Sequence, residues 1–301
     1  MSSIEEQLRI VASGEASLVP EAALRAKLER FQKTGEPLRC KLGVDPTAPD
    51  LHLGHAVVLR KLRQLQTLGH TAVLIIGDGT ALIGDPSGRN STRPPLTREQ
   101  VATNAATYVE QAFKILDKER TELVYNGDWL KRLNLEGILK LAAHFTVARI
   151  LERDDFSERY KAQHPISLHE FLYPLMQAYD SVQVRADIEL GGSDQLFNLL
   201  AGRELMEKLG MEPQVTLCCP LLEGTDGVQK MSKSYGNYIG ITDSAEEMFG
   251  RVMSIPDSLM PRYYTLASTL DVSECEQVLA ALANGSLHPN TAKRSLARDI
   301  V

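Results

Sequence analysis

Two apolar, β-rich runs, Leu38 to Val44 and Thr71 to Ile76, stand on either side of an amphipathic stretch from Leu53 to Leu68. Strand, helix and strand in that order leave few solutions, because parallel neighbours need a long crossover and a helix usually supplies it. Gly69 falls where such a helix ends in a left-handed residue. Thr71 to Ile76 has no polar residue after its first and reads as a central strand covered on both faces. The alternation continues downstream. Thr97 and Gln100 have the spacing of a capping box at the start of a long helix, and Ser167 to Ser181 reads as a helix despite Pro174. Ala186 to Leu190 is a short strand, Gln195 to Leu209 a helix stopped by Gly210, and Val215 to Leu222 another strand. The first thirty-odd residues read as two short helices, Leu123 to Phe156 gives mixed and mostly helical signals, and the pattern from Ala245 onward is helical. There is no internal repeat. The whole predicts an α/β fold built on a parallel sheet.

The 301 residues are 43% hydrophobic, enough to bury a core of one large domain, with room for a smaller appendage. Lys plus Arg is 33 and Asp plus Glu is 39, a net charge of −6, which excludes a chain-wide electrostatic grip on nucleic acid and leaves room for a local basic strip. No apolar run reaches membrane-spanning length, and the opening MSSIEEQLRI lacks the charged-then-apolar order of a secretory signal. Cys40, Cys218, Cys219 and Cys275 have no zinc-ligand spacing. A cytoplasmic protein with reduced thiols is expected. The last residues, HPNTAKRSLARDIV, read as a helix interrupted in its course, so a truncated chain is expected as well.

Two constellations carry chemistry. Asp45, Pro46 and Thr47, then His52, Leu53, Gly54 and His55, fall between a strand and a helix start. Helix N-termini present free N–H groups and the positive end of the dipole, so phosphates bind there. Two imidazoles and a hydroxyl at that place can meet a triphosphate and its developing charge. Gly54 lets a flat base lie against the backbone. The plainer alternative, one His capping the helix and the other in solvent, weighs about equally for this motif alone. The second constellation is Lys230, Met231, Ser232, Lys233 and Ser234. Two lysines three apart among small hydroxyl residues suit a mobile loop that closes over pyrophosphate, against the plainer alternative of a solvated basic turn. Both motifs together, each in its strand–loop–helix setting, are hard to obtain by chance.

HLGH and KMSKS resemble the two signatures of the class I aminoacyl-tRNA synthetases. The finer text KLGVDPTAPDLHLGH, IGDPSG, LMQAYDS, GGSDQ and KMSKS, in that order between about residues 38 and 240, is similar to the bacterial tyrosyl branch; the tryptophanyl branch differs around the first motif. The resemblance implies a Rossmann-like catalytic domain over 1–240, with a helical connective insertion at about 117–185 between its sheet halves. Residues 241–301 are then the start of a helical anticodon-binding region. It implies tyrosine, ATP and tRNA(Tyr) as substrates, with Mg2+ arriving on ATP rather than in a protein metal site. It also implies a two-fold dimer through the insertion, with Leu168 and its apolar neighbours at the interface.

The site residues implied make physical sense. Tyr173, Gln177 and Asp180 fall at i, i+4 and i+7 and share one helix face. Asp180 is the acceptor for the phenol OH, a buried polar group of the kind that rejects phenylalanine. Tyr173 and Gln177 take the α-ammonium, and Asp85 of GDPSG completes that site. Gly43, Asp45, Asn126 and Gln195 also belong to the tyrosine pocket. Gly54, Gly192, Asp194 and Ser234 serve ATP, with Asp194 and Gly192 at the ribose. Thr47, His52, His55, Lys230 and Lys233 carry the catalysis. Asn126 read alone is as readily a turn residue before Gly127, and Asp194 as readily a helix cap. The most familiar version of this enzyme has, at the position of Lys41, a tyrosine that touches the phenol. On a strand Lys41 faces the same side as Gly43 and Asp45; it either lines the floor of the tyrosine pocket, where the resemblance places it, or points elsewhere. Val58 stands where some members place a polar residue towards the nucleotide. Arg89 and Arg93, beside Asn90, Ser91 and Thr92, suit ATP phosphates or the tRNA acceptor end, and equally a solvated loop.

The reading from these residues is a ligase that joins tyrosine to ATP and then to tRNA. For a chain ending at Val301, the tRNA step is expected to be weak, since an acidic domain holds a polyanion poorly. Another H-x-G-H nucleotidyltransferase would lack the LMQAYDS and GGSDQ blocks. A non-catalytic RNA-binding paralogue would be expected to have lost His52, His55, Lys230 or Lys233, and all four are present.

Overall fold

The computed structural model describes residues 3–14, 16–87 and 96–301. Arg89, Asn90, Ser91, Thr92 and Arg93 lie outside the described residues. The chain opens with α1 (Ile4–Ala12), capped by the Ser3 hydroxyl, which accepts from the Glu6 N–H at 3.2 Å. A three-residue strand β1 (Ser17–Val19) leads to α2 (Glu21–Thr34), closed by Gly35 at φ 73°. Then come β2 (Arg39–Val44), α3 (Leu53–Thr67) and β3 (Thr71–Ile76), the βαβ unit expected from sequence, with Gly69 at φ 99° after the helix. Helix α4 (Arg98–Ala112) starts in the expected capping box of Thr97 and Gln100.

Strand β4 (Thr121–Tyr125) pairs in parallel with β3. It lies inside the stretch 117–185 expected as the insertion, so the sheet runs on to Tyr125 before the short helices begin. Those are α5 (Gly127–Leu130), α6 (Leu135–Ala142), α7 (Val147–Ile150) and α8 (Asp154–Lys161). Helix α9 (Leu172–Val184) follows a 3₁₀ turn at Leu168–Phe171. Pro174 falls in its first turn, where an N–H has no helical acceptor to lose. Strand β5 (Ile188–Gly192), helix α10 (Leu196–Lys208) and strand β6 (Val215–Cys219) complete the sheet. Helices α11 (Ala245–Ser254), α12 (Met260–Ala267), α13 (Val272–Ala283) and α14 (Pro289–Ile300) end the chain.

The sheet order is β1-β6-β5-β2-β3-β4, with β1 antiparallel to β6 and the other pairs parallel. One face carries Cys40, Leu42, Ala72, Leu74, Ile188 and Leu190, packed with Leu24, Leu28, Leu59 and Leu62 of α2 and α3. The other face lies under α9 and α10, where Val73 and Ile75 meet Val184. Helices α11, α12 and α14 form a separate core that includes Leu53, Ala56 and Val57 of α3. The chain passes from β2 outward through β3 and β4, then returns to β2's other side with β5 and β6. A cleft therefore opens at the carboxyl ends of β2 and β5, where the strand order reverses. Among the described residues, no helix is long and apolar enough to cross a membrane.

Candidate active site

A cavity of about 400 Å³ occupies that cleft. Its walls come from the ends of β2, β3 and β5, the start of α3, one face of α9 and the chain at 220–222 and 230–232.

At one end three aspartates meet. Asp45 directly follows β2, and its two oxygens accept hydrogen bonds from the Thr80 hydroxyl at 2.6 Å and the Tyr173 hydroxyl at 3.0 Å. The backbone opposite is Gly77, where a Cβ would stand 1.9 Å from the Asp45 Oδ1, so only glycine lets the carboxylate sit there. Asp180 accepts from the Trp129 indole N–H at 2.8 Å and from the Asn126 amide at 3.1 Å. Asn126 also donates to the Thr80 hydroxyl at 2.9 Å and accepts from the Gly79 N–H at 2.8 Å. Asp85 accepts from the Ser87 N–H and hydroxyl, from the Arg153 guanidinium at 3.1 Å and from the Gln195 amide at 2.9 Å. Burial pushes Asp45 up to about 7, against the hydrogen bond from Thr80 and with the neighbouring Asp85 adding to the rise. Burial also pushes Asp180 up to about 6, opposed by the charge of Lys41. A cation entering beside Asp45, such as an ammonium, would offset the rise of that carboxyl.

At the other end His52 caps α3. Its Nδ1 accepts from the Gly54 N–H at 3.2 Å, while Nδ1 of His55 accepts from the His52 N–H at 3.2 Å. The two rings lie 4.0 Å apart. Burial lowers His52 to about 3, with His55 and Lys233 adding to it; burial and Lys233 lower His55 to about 4. Both imidazoles are therefore neutral at physiological pH. An Nδ1 that accepts leaves the proton on Nε2, so each ring keeps an N–H donor for a phosphate oxygen. Capping and ligand binding are therefore not exclusive: the His52 ring caps α3 through Nδ1 and keeps Nε2–H free of that role.

The second motif is tied to the first through the backbone. Leu53 N–H donates to the Ile239 carbonyl at 2.9 Å and Ile241 N–H to the Leu51 carbonyl at 3.2 Å, so the chain after KMSKS runs along the HLGH turn. Lys230 reaches Asp194 at 3.5 Å, and Lys233 reaches Asp50 at 2.5 Å with its ammonium 5.6 Å from the Tyr238 ring centre. Both lysines thus rest on carboxylates.

Of the sequence-predicted residues, fifteen share this one cavity: Gly43, Asp45, Thr47, His52, Gly54, His55, Asp85 and Asn126, then Tyr173, Gln177, Asp180, Gly192, Asp194, Gln195 and Lys230. Val58 lines it too. Lys233 and Ser234 stand outside its wall, on the loop. Lys41 does not line it either. It is fully buried behind the wall, its ammonium 2.7 Å from Glu189, so contact with a bound amino acid, as the resemblance suggested, is corrected to a place one layer further back. Sequence reasoning missed Thr80, Arg153, Glu189 and Asp50, and used Trp129 only as a landmark. Arg153 carries no local signal, since its partner Asp85 lies 68 residues away.

Comparison with known proteins agrees with this arrangement. The family described as tRNA synthetases class I (W and Y) matches residues 32–301. A tyrosine–tRNA ligase of Moorella thermoacetica is 56% identical over 99% of this chain and 72% of its own length. One from Geobacter sulfurreducens is 54% identical over 99% of this chain and 74% of its own. Among solved structures, the tyrosyl-tRNA synthetase of Archaeoglobus fulgidus complexed with L-tyrosine superposes with a TM-score of 0.80. It is 26% identical, covering 99% of this chain and 96% of the other.

Proposed function

Because the chain belongs to the class I tRNA synthetases of the W and Y group, we propose that its cavity is where tyrosine and ATP are joined. The activity is tyrosine–tRNA ligation. The tyrosine carboxylate attacks the α-phosphorus of ATP, a carboxylate–phosphorus bond forms, the bond to the bridging oxygen breaks, and pyrophosphate leaves. A terminal adenosine hydroxyl of the tRNA then attacks the acyl carbon and releases AMP. The chain uses no nucleophile of its own; positioning and charge stabilisation carry the rate.

The observation that carries this assignment is the polarity of this cavity, with Asp45, Asp85 and Asp180 at one end and two neutral imidazoles with Lys230 at the other. The aspartate end suits tyrosine. Asp180 accepts the phenol OH, and Asp45, Asp85, Tyr173 and Gln177 surround the ammonium. Gly43 has nothing within 4 Å of a built Cβ, so its missing side chain leaves room for a ligand. Asn126 orients Asp180, and Gln195 sits between Asp85 and the nucleotide end. Gly54 and Gly192 admit the nucleotide, and Asp194 takes the ribose hydroxyls once Lys230 leaves it. Thr47, His52 and His55 meet the phosphates, with Lys230, Lys233 and Ser234 closing from the loop. Mg2+ enters as part of the substrate MgATP. Residues 1–240 are the catalytic domain, with 241–301 a helical continuation. The exposed Leu135, Leu139, Val147 and Leu168 of the insertion support a homodimer that covers them.

Amino-acid-dependent exchange of pyrophosphate into ATP tests the assignment. Exchange is expected with tyrosine and far less with phenylalanine or tryptophan; exchange with tryptophan and not tyrosine would overturn it.

A further inference from the structure

We infer that Lys41 and Glu189 are positioning residues: a buried pair behind the pocket wall that holds α9 and the Gln177 side chain against β2 and β5, and so sets tyrosine affinity without touching tyrosine. This rests on the functional assignment above. The two residues face each other in register across β2 and β5, and their side chains are 0% and 1% exposed. The Lys41 ammonium has three protons and three acceptors: Glu189 Oε1 at 2.7 Å, the Ser181 hydroxyl at 2.8 Å and the Gln177 carbonyl at 3.0 Å. Nothing on it is left for a ligand. Two of those acceptors belong to α9, the helix that carries Tyr173, Gln177 and Asp180 along the cavity.

Glu189 closes the set. Its Oε1 also accepts from the Gln177 amide at 3.1 Å, and its Oε2 accepts from the Ser181 hydroxyl at 3.1 Å and from the Gln214 amide. Gln177 therefore reaches the cavity with its side chain held from behind. Helix α10 closes over this cluster at Gly202, where a Cβ would meet Gln214 at 2.7 Å and Glu189 and Ser181 at 3.0 Å. A buried ion pair adds little net stability compared with apolar residues of the same size, so stability alone gives no reason to place one here. A fully satisfied polar cluster does fix geometry, and this one fixes the two turns of α9 that carry Gln177 and Asp180.

The test is pyrophosphate exchange by the wild-type chain, Lys41→Met, Ser181→Ala and the double variant Lys41→Met with Glu189→Met, each with a thermal melt. Lys41→Met is expected to raise the tyrosine KM about tenfold with the ATP KM within about twofold, and Ser181→Ala to raise it about threefold. Both should narrow the preference for tyrosine over phenylalanine. The double variant, in which no charge is left unpaired, is expected to fold and to keep the raised tyrosine KM. Should Lys41→Met not fold, Ser181→Ala and the double variant decide. Tyrosine KM and selectivity unchanged in these, or an ATP KM that rises in step, would reduce the pair to a structural one and overturn the inference. A wild-type chain with no tyrosine-dependent exchange would overturn the functional assignment itself, and the inference with it.

Discussion

Asp180→Ala is expected to lower kcat/KM for tyrosine roughly 10- to 150-fold, with the ATP KM nearly unchanged. One hydrogen bond to a charged acceptor contributes about 1.5–3 kcal/mol, and here the loss is compounded. The Trp129 indole and the Asn126 amide both donate to this carboxylate, and truncation leaves both donors in a buried wall without it. Titration separates the acceptor role from simple packing. Burial raises Asp180 to about 6, so in the free protein it becomes neutral as pH falls through that value and stops being a strong acceptor. The tyrosine KM should therefore rise below about pH 6. Asp45, raised to about 7, faces the same space and gives its own step, while Lys41 and Glu189 act on Asp180 from behind. In Asp180→Asn the step near 6 should vanish, and that of Asp45 should remain but move to lower pH, because the Asp180 charge is part of what raises it. A tyrosine KM that is normal in Asp180→Ala, with ATP binding weakened instead, would reverse the orientation of the substrates in the cavity.

Lys233→Ala is expected to slow adenylate formation by about 10²- to 10³-fold, the cost typical of removing one donor to developing charge, while tyrosine affinity stays near normal. Lys233 stands outside the cavity wall and pairs with Asp50. Its contact with the triphosphate has to be made by exchanging one anion for another. An interaction made late in that way acts on the transition state more than on bound tyrosine. Stopped-flow measurement at saturating tyrosine and ATP reads the effect. An unchanged rate constant would leave Lys233 as the partner of Asp50 and nothing more.

The elements legible in the sequence were those whose pattern is local. Helix α3 between two apolar strands, the Thr97 capping box and the glycines at 69 and 210 declare themselves within a few residues. Strand β1 has three residues at a sheet edge, too few for a period to show. Strand β4 is also an edge strand, and none of its residues is fully buried, so its apolar signal is diluted. The site divides in the same way. HLGH, KMSKS and the Tyr173, Gln177, Asp180 stripe are short spacings and were found. Arg153 on Asp85, Glu189 on Lys41 and Asp50 on Lys233 depend on how the chain folds back, and no window of sequence contains both partners. Lys41 shows the limit most plainly. Strand alternation gave its face correctly, but only the position of Glu189 decides that its ammonium turns away from the cavity.

Strand β2 holds the middle of the sheet, and its two neighbours come from distant parts of the chain, Thr71–Ile76 on one side and Ile188–Gly192 on the other. A ribosome building the chain from its N-terminus releases β2 and β3 long before β5 exists. At about 5–20 residues per second, the second edge of β2 stays open for roughly 7–30 seconds of synthesis. During that time its unpaired backbone groups are a place where a foreign strand can add. Nascent chains arrested before residue 188 should accordingly be cut by protease within β2, and chains arrested well beyond Cys219 should resist. Equal resistance in both would mean that the first half of the sheet closes without its second edge.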